Sequence, residues 1–320
     1  MRFGQKALLA AILAALATGA RAKSLEARYL FALSDVNGAI RSSWVTLSYD
    51  RVHHELLVAD SSEGAVRVYR DNGMELQRIG GDEEIGGIMA VTVREDGDLF
   101  LLVRKSEHTS LLHTDFRGEV LEAIDPHGVP EDFNAGFNPS ALRYADGKLF
   151  LADHGTLKVL VLDMSGQYVA SFDMHKLIKV EEKVERALVM RSFNVDAAGN
   201  MLFTIPSIFK AYVVSLSGAV QSFGSKGSTP GKFNIAGGIA RDEQGNTYVT
   251  DLLRAVVMVF DPKFEFIGEF GYRGWNEGNL ISPLELAVSE GKLFVAQAGR
   301  RGVSLFHVAI RESDAGHPPR

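Results

Sequence analysis

A repeated strand pattern is the feature that most constrains the fold of this chain. Six short apolar segments with the residue types of β-strands recur along the sequence, and their last residues lie 43 to 52 positions apart. Five of them follow a glycine turn, such as Asp96-Gly97 or Gly245-Asn246, and these residue types accept the positive φ of tight hairpins. Self-similarity at this period indicates an architecture of stacked repeats. The six segments are 56–60, 99–103, 149–153, 201–205, 247–251 and 293–297.

Each repeat has room for four strands. The apolar segment is the second strand of each repeat. An alternating third strand follows it, as at 66–69 and 256–260, and a fourth strand ends just before a glycine, as at 266–270. Four strands in each of six units predict an all-β, six-bladed β-propeller of four-stranded antiparallel blades. The sixth unit ends after its third strand, so we expect residues 27–33 to supply the missing strand and close the ring.

The two ends of the chain differ from the repeats. Arg2 and Lys6 precede an unbroken apolar run at 7–17, and Ala20-Arg21-Ala22 follows it. This pattern predicts an export signal at 1–22, because the apolar run is shorter than the roughly 20 residues that span a bilayer. We therefore expect a propeller domain at 23–312, a disordered tail at 313–320, and a periplasmic or extracellular location.

Composition and missing motifs argue against several functions. The net charge of −6 argues against a nucleic-acid surface, and the absence of cysteine excludes disulfides and thiolate metal sites. The sequence has no nucleophile elbow, no Walker loop and no dinucleotide-binding glycine motif, and its nine histidines show no zinc-site spacing. We expect a monomer with no membrane span, no cofactor, no bound metal and no nucleic-acid partner.

The fifth unit carries a resemblance to a known family. Residues 231–271 closely resemble an NHL repeat, and the likeness extends over about residues 40–310. It implies a six-bladed propeller of an exported bacterial type, but propellers of this family serve many unrelated roles. Unit five has Arg254-Ala255-Val256 where NHL repeats often carry Asn-His-Arg. The matching elements are Gly231-x-Phe233-Asn234, Gly238-Ile239-Ala240-x-Asp242 and Gly245-Asn246-x-Tyr248-Val249-x-Asp251.

The long loops all belong to one side of the predicted disc. Connections between blades share one face with the loops from second to third strands, and we call this the inter-blade face. The first-to-second and third-to-fourth turns form the opposite face, the turn face, which carries His53-His54. Long loops on a rigid scaffold usually carry binding, so we expect function on the inter-blade face. The insertion 173–191 predicts a short amphipathic helix, either a lid or partner-docking element or a packed decoration.

Five basic residues and one acid are the candidate ligand-binding residues. Alignment of the innermost strands predicts that Arg143 and Glu285 project into the central channel, either as a mutual ion pair or as a site for an anion or carboxylate. The other candidates are assigned to the rim or loops of the inter-blade face: Arg191, Arg254, Arg300 and His154.

Two functions remain open from the sequence. The leading hypothesis is an exported, non-enzymatic binding or scaffold propeller that presents its loop-rich face to a protein, peptide or glycan. The alternative is a metal-assisted lyase or hydrolase acting at the central channel, because NHL-type propellers resemble peptidyl-hydroxyglycine lyases and lactonases with channel metals. Histidines and carboxylates that converge on the axis would favour the enzyme.

Overall fold

The computed structural model describes residues 23–35, 38–39, 45–81, 85–106, 108–180, 188–298 and 301–312. The predicted export signal at 1–22 and the predicted tail at 313–320 lie outside these residues. Residues 181–187 of the predicted insertion and the candidate Arg300 also lie outside them.

Six four-stranded antiparallel sheets form the blades of a β-propeller, which confirms the predicted fold class. A short pair, β2 (Ser34–Asp35) and β3 (Gly38–Ala39), precedes the first blade. From the innermost to the outermost strand, the blades are β4 (Val45–Asp50), β5 (Glu55–Asp60), β6 (Ala65–Arg70) and β7 (Glu75–Gly80); β8 (Gly87–Val93), β9 (Leu99–Lys105), β10 (His108–Thr114) and β11 (Val120–Ile124); β12 (Ala141–Ala145), β13 (Lys148–Asp153), β14 (Lys158–Asp163) and β15 (Tyr168–Asp173); β16 (Ser192–Val195), β17 (Met201–Ile205), β18 (Lys210–Val214) and β19 (Val220–Phe223); β20 (Ala236–Arg241), β21 (Thr247–Asp251), β22 (Val256–Phe260) and β23 (Phe266–Phe270); and β24 (Pro283–Ser289), β25 (Lys292–Gln297), β26 (Gly302–Glu312) and β1 (Lys23–Ala32).

The ring closes through the N-terminal strand, as the sequence predicts. Strand β1 pairs antiparallel with β26, from Lys23 opposite Glu312 to Ala32 opposite Ser304. The pairing begins four residues earlier than the predicted segment 27–33 and includes a bulge near Tyr29. Because β1 covers the outer edge of β26, the last blade has no unpaired third strand.

The core lies between neighbouring blades. The middle strands are buried on both faces, so burial does not alternate along them; all five residues of β21 and of β22 are buried, and β22 is apolar throughout. One representative cluster joins Phe100 and Leu102 of the second blade to Leu149 and Leu151 of the third. This packing fixes each blade against the next and holds the innermost strands around the axis.

Helices are few and short in the part of the chain that the structure describes. Helix α1 (Glu131–Asn134) lies in the connection between the second and third blades, and a 3₁₀ turn (Pro206–Ile208) follows β17. Helix α2 (Met174–Ile178) follows β15, where Asp173 caps it by accepting a bond from the Lys176 N–H. Within the described ranges, no helix combines the length and hydrophobicity needed to cross a bilayer.

The short helix packs over the third and fourth blades. Met174 is fully buried, and Leu177 and Ile178 pack on a core cluster that also contains Phe172 and Leu188. The described part of the insertion is therefore packed against the blades, which favours a fixed structural element over a lid.

Candidate functional site

The innermost strands place one side chain per blade at a common level around the axis. Each lies opposite the same position of the second strand of its blade; for example, Arg143 pairs with Phe150, Ala240 with Tyr248 and Ala287 with Phe294. All six line a central cavity of about 240 Å³. They are Ser48, Thr92, Arg143, Asn194, Ala240 and Ala287.

An ion pair crosses the channel between the third and sixth blades. The Arg143 Nη2 donates to Glu285 Oε1 at 2.9 Å, and the two side chains are only 7% and 11% exposed. Arg143 also donates from Nη1 to the Leu142 carbonyl at 2.9 Å and from Nε to Asn194 Oδ1 at 3.2 Å. Ser192 Oγ donates to the second Glu285 oxygen at 3.1 Å. The structure thus contains the ion pair that the sequence offers as one of two possibilities.

Burial makes each charge of this pair depend on the other. Desolvation raises the pKa of Glu285, while the Arg143 charge and the Ser192 hydroxyl act in the opposite direction. Desolvation likewise lowers the pKa of Arg143, and Glu285 opposes that shift. Removing one partner would leave a buried charge without compensation, which is the costly case for a buried ion pair.

A histidine lies at the inter-blade end of the channel. His154 follows β13, and its Nδ1 lies 3.0 Å from Ser140 Oγ. Its Nε2 is buried and has no hydrogen-bond partner among the described residues. Burial, and then the charges of Arg143 and Arg191, lower the His154 pKa to about 4 against the opposing effect of Asp153. His154 is therefore a neutral imidazole at physiological pH.

Four of the six predicted site residues converge on this end of the channel. The charge of Arg191 acts on both His154 and Glu285, which places it beside the Arg143–Glu285 pair. The backbone N–H of Arg191 donates to the Thr204 carbonyl at 2.9 Å and anchors the start of the fourth blade. Arg143, Arg191, His154 and Glu285 thus form a mostly buried polar cluster.

The fifth candidate lies apart from that cluster. Arg254 pairs with Glu269 and donates to Met258 Sδ at 3.5 Å, with its side chain only 13% exposed. These contacts lie within the fifth blade, so Arg254 supports the blade rather than lining the channel. Its neighbour Leu253, in contrast, is 52% exposed.

An exposed aromatic surface, which sequence reasoning missed, lies on the inter-blade face. Tyr272 and Trp275, in the connection between the fifth and sixth blades, are 70% and 71% exposed. Arg273 Nη2 donates to the Leu253 carbonyl at 2.8 Å and joins this connection to the adjacent loop. The Arg301 guanidinium lies 5.5 Å from the Trp275 ring centroid and donates to the Trp275 carbonyl at 3.0 Å. We call Leu253, Tyr272, Arg273, Trp275 and Arg301 the aromatic surface.

Described residues line two cavities on the turn face. The central cavity opens here, because its walls include residues at the ends of the innermost strands, such as Tyr49, Tyr144 and Arg241. A second cavity of about 330 Å³ lies between the first and second blades, and both cavities are lined by Asp50 and Val93. The face without long loops is thus recessed, which local sequence patterns did not reveal.

The described side chains do not fit a channel metal. Over the described ranges, no group of three or more histidine and carboxylate side chains converges closely enough to hold an ion. A polar cluster of two arginines, one glutamate and one neutral histidine is also a poor donor set for zinc, which takes several anionic or imidazole ligands.

Comparisons with known proteins support the fold and go no further. No protein-family model matches the chain, and no curated protein matches it. A protein of unknown function from Bacteroides thetaiotaomicron is similar in structure, with 12% identity and a TM-score of 0.62 over 90% of this chain and 76% of that one. A streptogramin B lyase has 11% identity and a TM-score of 0.54, over 90% and 98% of the two chains.

A third similar structure contains a bound ligand. It is a catalytically inactive variant of virginiamycin B lyase from Staphylococcus aureus with quinupristin, with 12% identity and a TM-score of 0.56 over 90% of this chain and 99% of that one. Identities this low show a shared propeller fold alone. The resemblance to NHL repeats specifically remains a prediction.

Proposed function

We propose that this chain is an exported, non-enzymatic binding propeller that holds a protein or peptide partner on its inter-blade face. The aromatic surface is the observation that carries this proposal. Trp275 and Tyr272 are the most exposed large hydrophobic side chains among the described residues. Tryptophan, tyrosine and arginine are the residue types that dominate binding energy at protein interfaces.

The aromatic surface is held in place before any partner arrives. Arg301 bonds to the Trp275 carbonyl and also to the Asn276 and Asn279 carbonyls, at 3.3 and 3.2 Å. A bridge pairs Arg273 with Leu280, whose side chain is fully buried. A loop held in this way loses little conformational entropy on binding, so its aromatic side chains can contribute most of their contact energy to affinity.

The chemistry of the surface favours a protein or peptide over a glycan. Arg301 lies over the ring of Trp275, and the exposed side chain of Leu253, whose carbonyl accepts from Arg273, is apolar. Exposed leucine, tryptophan and arginine on one face match the apolar centre and polar rim of a protein interface. A glycan remains the other outcome of the experiment below.

Capture from the secreted or envelope fraction tests the proposal. The purified protein is immobilised, and the captured material is compared with that of a Trp275→Ala, Tyr272→Ala double variant. We expect the double variant to lose about tenfold or more of a specific protein band. Its melting temperature should stay close to that of the parent, because exposed substitutions usually change stability by less than about 0.5 kcal/mol.

The matched control is a double variant on the opposite face. His53→Ala with His54→Ala lies on the turn face, where both side chains are exposed, and should leave capture intact. Equal capture by the aromatic variant and the parent would contradict the proposal, and capture of carbohydrate in place of protein would assign the surface to a glycan.

A metal-assisted lyase or hydrolase is the alternative function; the described side chains form no metal site, but one observation favours a ligand at the channel. Within the described ranges the buried Nε2 of His154 has no hydrogen bond, and the ring is close enough to Arg143 and Arg191 for their charges to lower its pKa. Elemental analysis of the purified protein tests this alternative. Stoichiometric zinc or calcium would favour the enzyme and would overturn a binding-only function.

A further inference from the structure

The cavity between the first and second blades combines an apolar floor with a polar rim. Its floor is formed by Leu57, Val68, Val93 and Leu99, which come from strands of both blades. Leu57, Val68 and Leu99 belong to the core cluster between these blades, so the cavity is an opening in their packing at the turn face. The rim is formed by Asp50, His53, Glu55, Gln77, Asp96 and Phe116.

Glu55 is the rim carboxylate that lacks a partner. It begins β5 and is half-buried, and its carboxylate makes no hydrogen bond or ion pair in the part of the chain that the structure describes. Burial, followed by the negative charge of Asp50, raises its pKa, against the opposing effect of the His53 and Arg70 charges. Arg70 lies opposite Glu55 in the strand register, but its side chain is exposed and forms no ion pair with it.

The other polar groups of the rim are already engaged. Asp50 accepts from the backbone N–H groups of Val52 and His53 and contacts the His53 ring at 2.7 Å. Asp96 accepts from Arg94 Nε at 2.8 Å. Gln77 Nε2 donates to the Phe116 carbonyl at 2.6 Å and holds the Phe116 turn against the first blade.

We propose that this cavity binds a small molecule with a protonated amine on a compact apolar group. An ammonium group would donate to Glu55 and form a charge-assisted hydrogen bond, which is stronger than a neutral one. The apolar part would cover the aliphatic floor and contact the half-exposed Phe116 ring, which already carries the Arg117 guanidinium 5.1 Å from its centroid. The cavity volume lies at the small end of the range for ligand sites, about 300 to 1,000 Å³.

The same rim does not suit a divalent cation. Calcium and magnesium need several oxygen ligands at short distance. Asp50, Glu55 and Asp96 all line the cavity, yet within the described ranges they form no group that could hold a metal ion. One available carboxylate above an apolar floor is instead the arrangement that an amine with a hydrocarbon group requires.

Isothermal titration calorimetry with three related probes tests the proposal. The probes are 2-phenylethylamine, neutral 2-phenylethanol and anionic 3-phenylpropionate, each titrated into the purified protein at neutral pH. We expect the amine to bind about tenfold or more tightly than the alcohol, and the anion not to bind. Amine binding should weaken as pH falls and Glu55 becomes protonated.

Two variants assign the binding to this cavity. Glu55→Gln keeps the side-chain shape, and we expect it to weaken amine binding by about tenfold or more while leaving the alcohol unchanged. Glu119→Gln is the matched control, because Glu119 is an exposed acid of the Phe116 turn that does not line the cavity. It should bind the amine like the parent.

A filling variant gives an independent measurement. Val68→Phe places a ring in the floor of the cavity and should abolish binding of both the amine and the alcohol, provided that its melting transition shows a folded protein. The proposal is wrong if 2-phenylethylamine fails to bind at millimolar concentration, if the alcohol binds equally well, or if Glu55→Gln binds the amine unchanged. None of these results bears on the aromatic surface of the inter-blade face, which is tested by different variants.

Discussion

Replacing Arg143 by methionine should destabilise the propeller strongly at neutral pH. The substitution removes the cation 2.9 Å from Glu285, whose side chain is 11% exposed and would keep the Ser192 hydrogen bond and the nearby charge of Arg191. Breaking a buried pair in this way costs about 3 to 5 kcal/mol, because one charge stays buried without its hydrogen-bonded counter-ion. For a domain of this size, that loss corresponds to a fall in melting temperature of roughly 6 to 10 °C.

The pH dependence of the same variant gives a second check. Without Arg143, desolvation raises the folded-state pKa of Glu285 further above its unfolded value, so the folded state binds a proton at higher pH than the unfolded state does. Stability therefore falls as pH rises through this window, and the deficit of Arg143→Met relative to the parent should shrink on acidification.

Thermal unfolding followed by circular dichroism measures both effects. Arg143→Met with Glu285→Gln removes both charges, so it should recover much of the loss and reveal a coupling between the two sites. If Arg143→Met melts within about 1 °C of the parent at neutral pH, which corresponds to less than about 0.5 kcal/mol, the pair is not the desolvated ion pair described above.

Three further predictions concern closure, titration and backbone conformation. Deleting residues 23–33 should expose the edge of the last blade, lower the melting temperature and cause aggregation on size-exclusion chromatography; unchanged behaviour would refute closure by β1. The His154 ring should stay neutral in NMR titrations down to about pH 4. Because its folded-state pKa is below the unfolded value of about 6.5, the free energy of unfolding should fall by at most about 3 kcal/mol as the pH drops from about 6.5 to about 4. Gly218→Ala, with φ +81° and open space around it, should lose about 1 kcal/mol. Gly224→Ala should lose about 1 to 3 kcal/mol more, because at φ +92° its new Cβ would lie 2.2 Å from the Phe233 ring; equal losses in denaturant titrations would show that this contact relaxes freely.

Part of the candidate site could be predicted because repeats align. Once equivalent strands are matched, the level of Arg143 around the axis follows from the period-2 alternation of strand side chains. The choice between an ion pair and an open anion site could not be made, since it depends on the distance between opposite blades. Arg254 shows the same limit, because its pairing with Glu269 across the blade is not encoded by local spacing.

The sequence by itself determined the number of blades, the turns between their strands and the strand that closes the ring. These features depend on local periodicity, on glycine turns and on counting strands, which are properties of short segments. Only the tertiary structure decided that Arg143 meets Glu285, that Trp275 and Tyr272 stay exposed, and that the recesses lie on the turn face. Each of these depends on how closely separate blades pack, and that is set by side chains far apart in the chain.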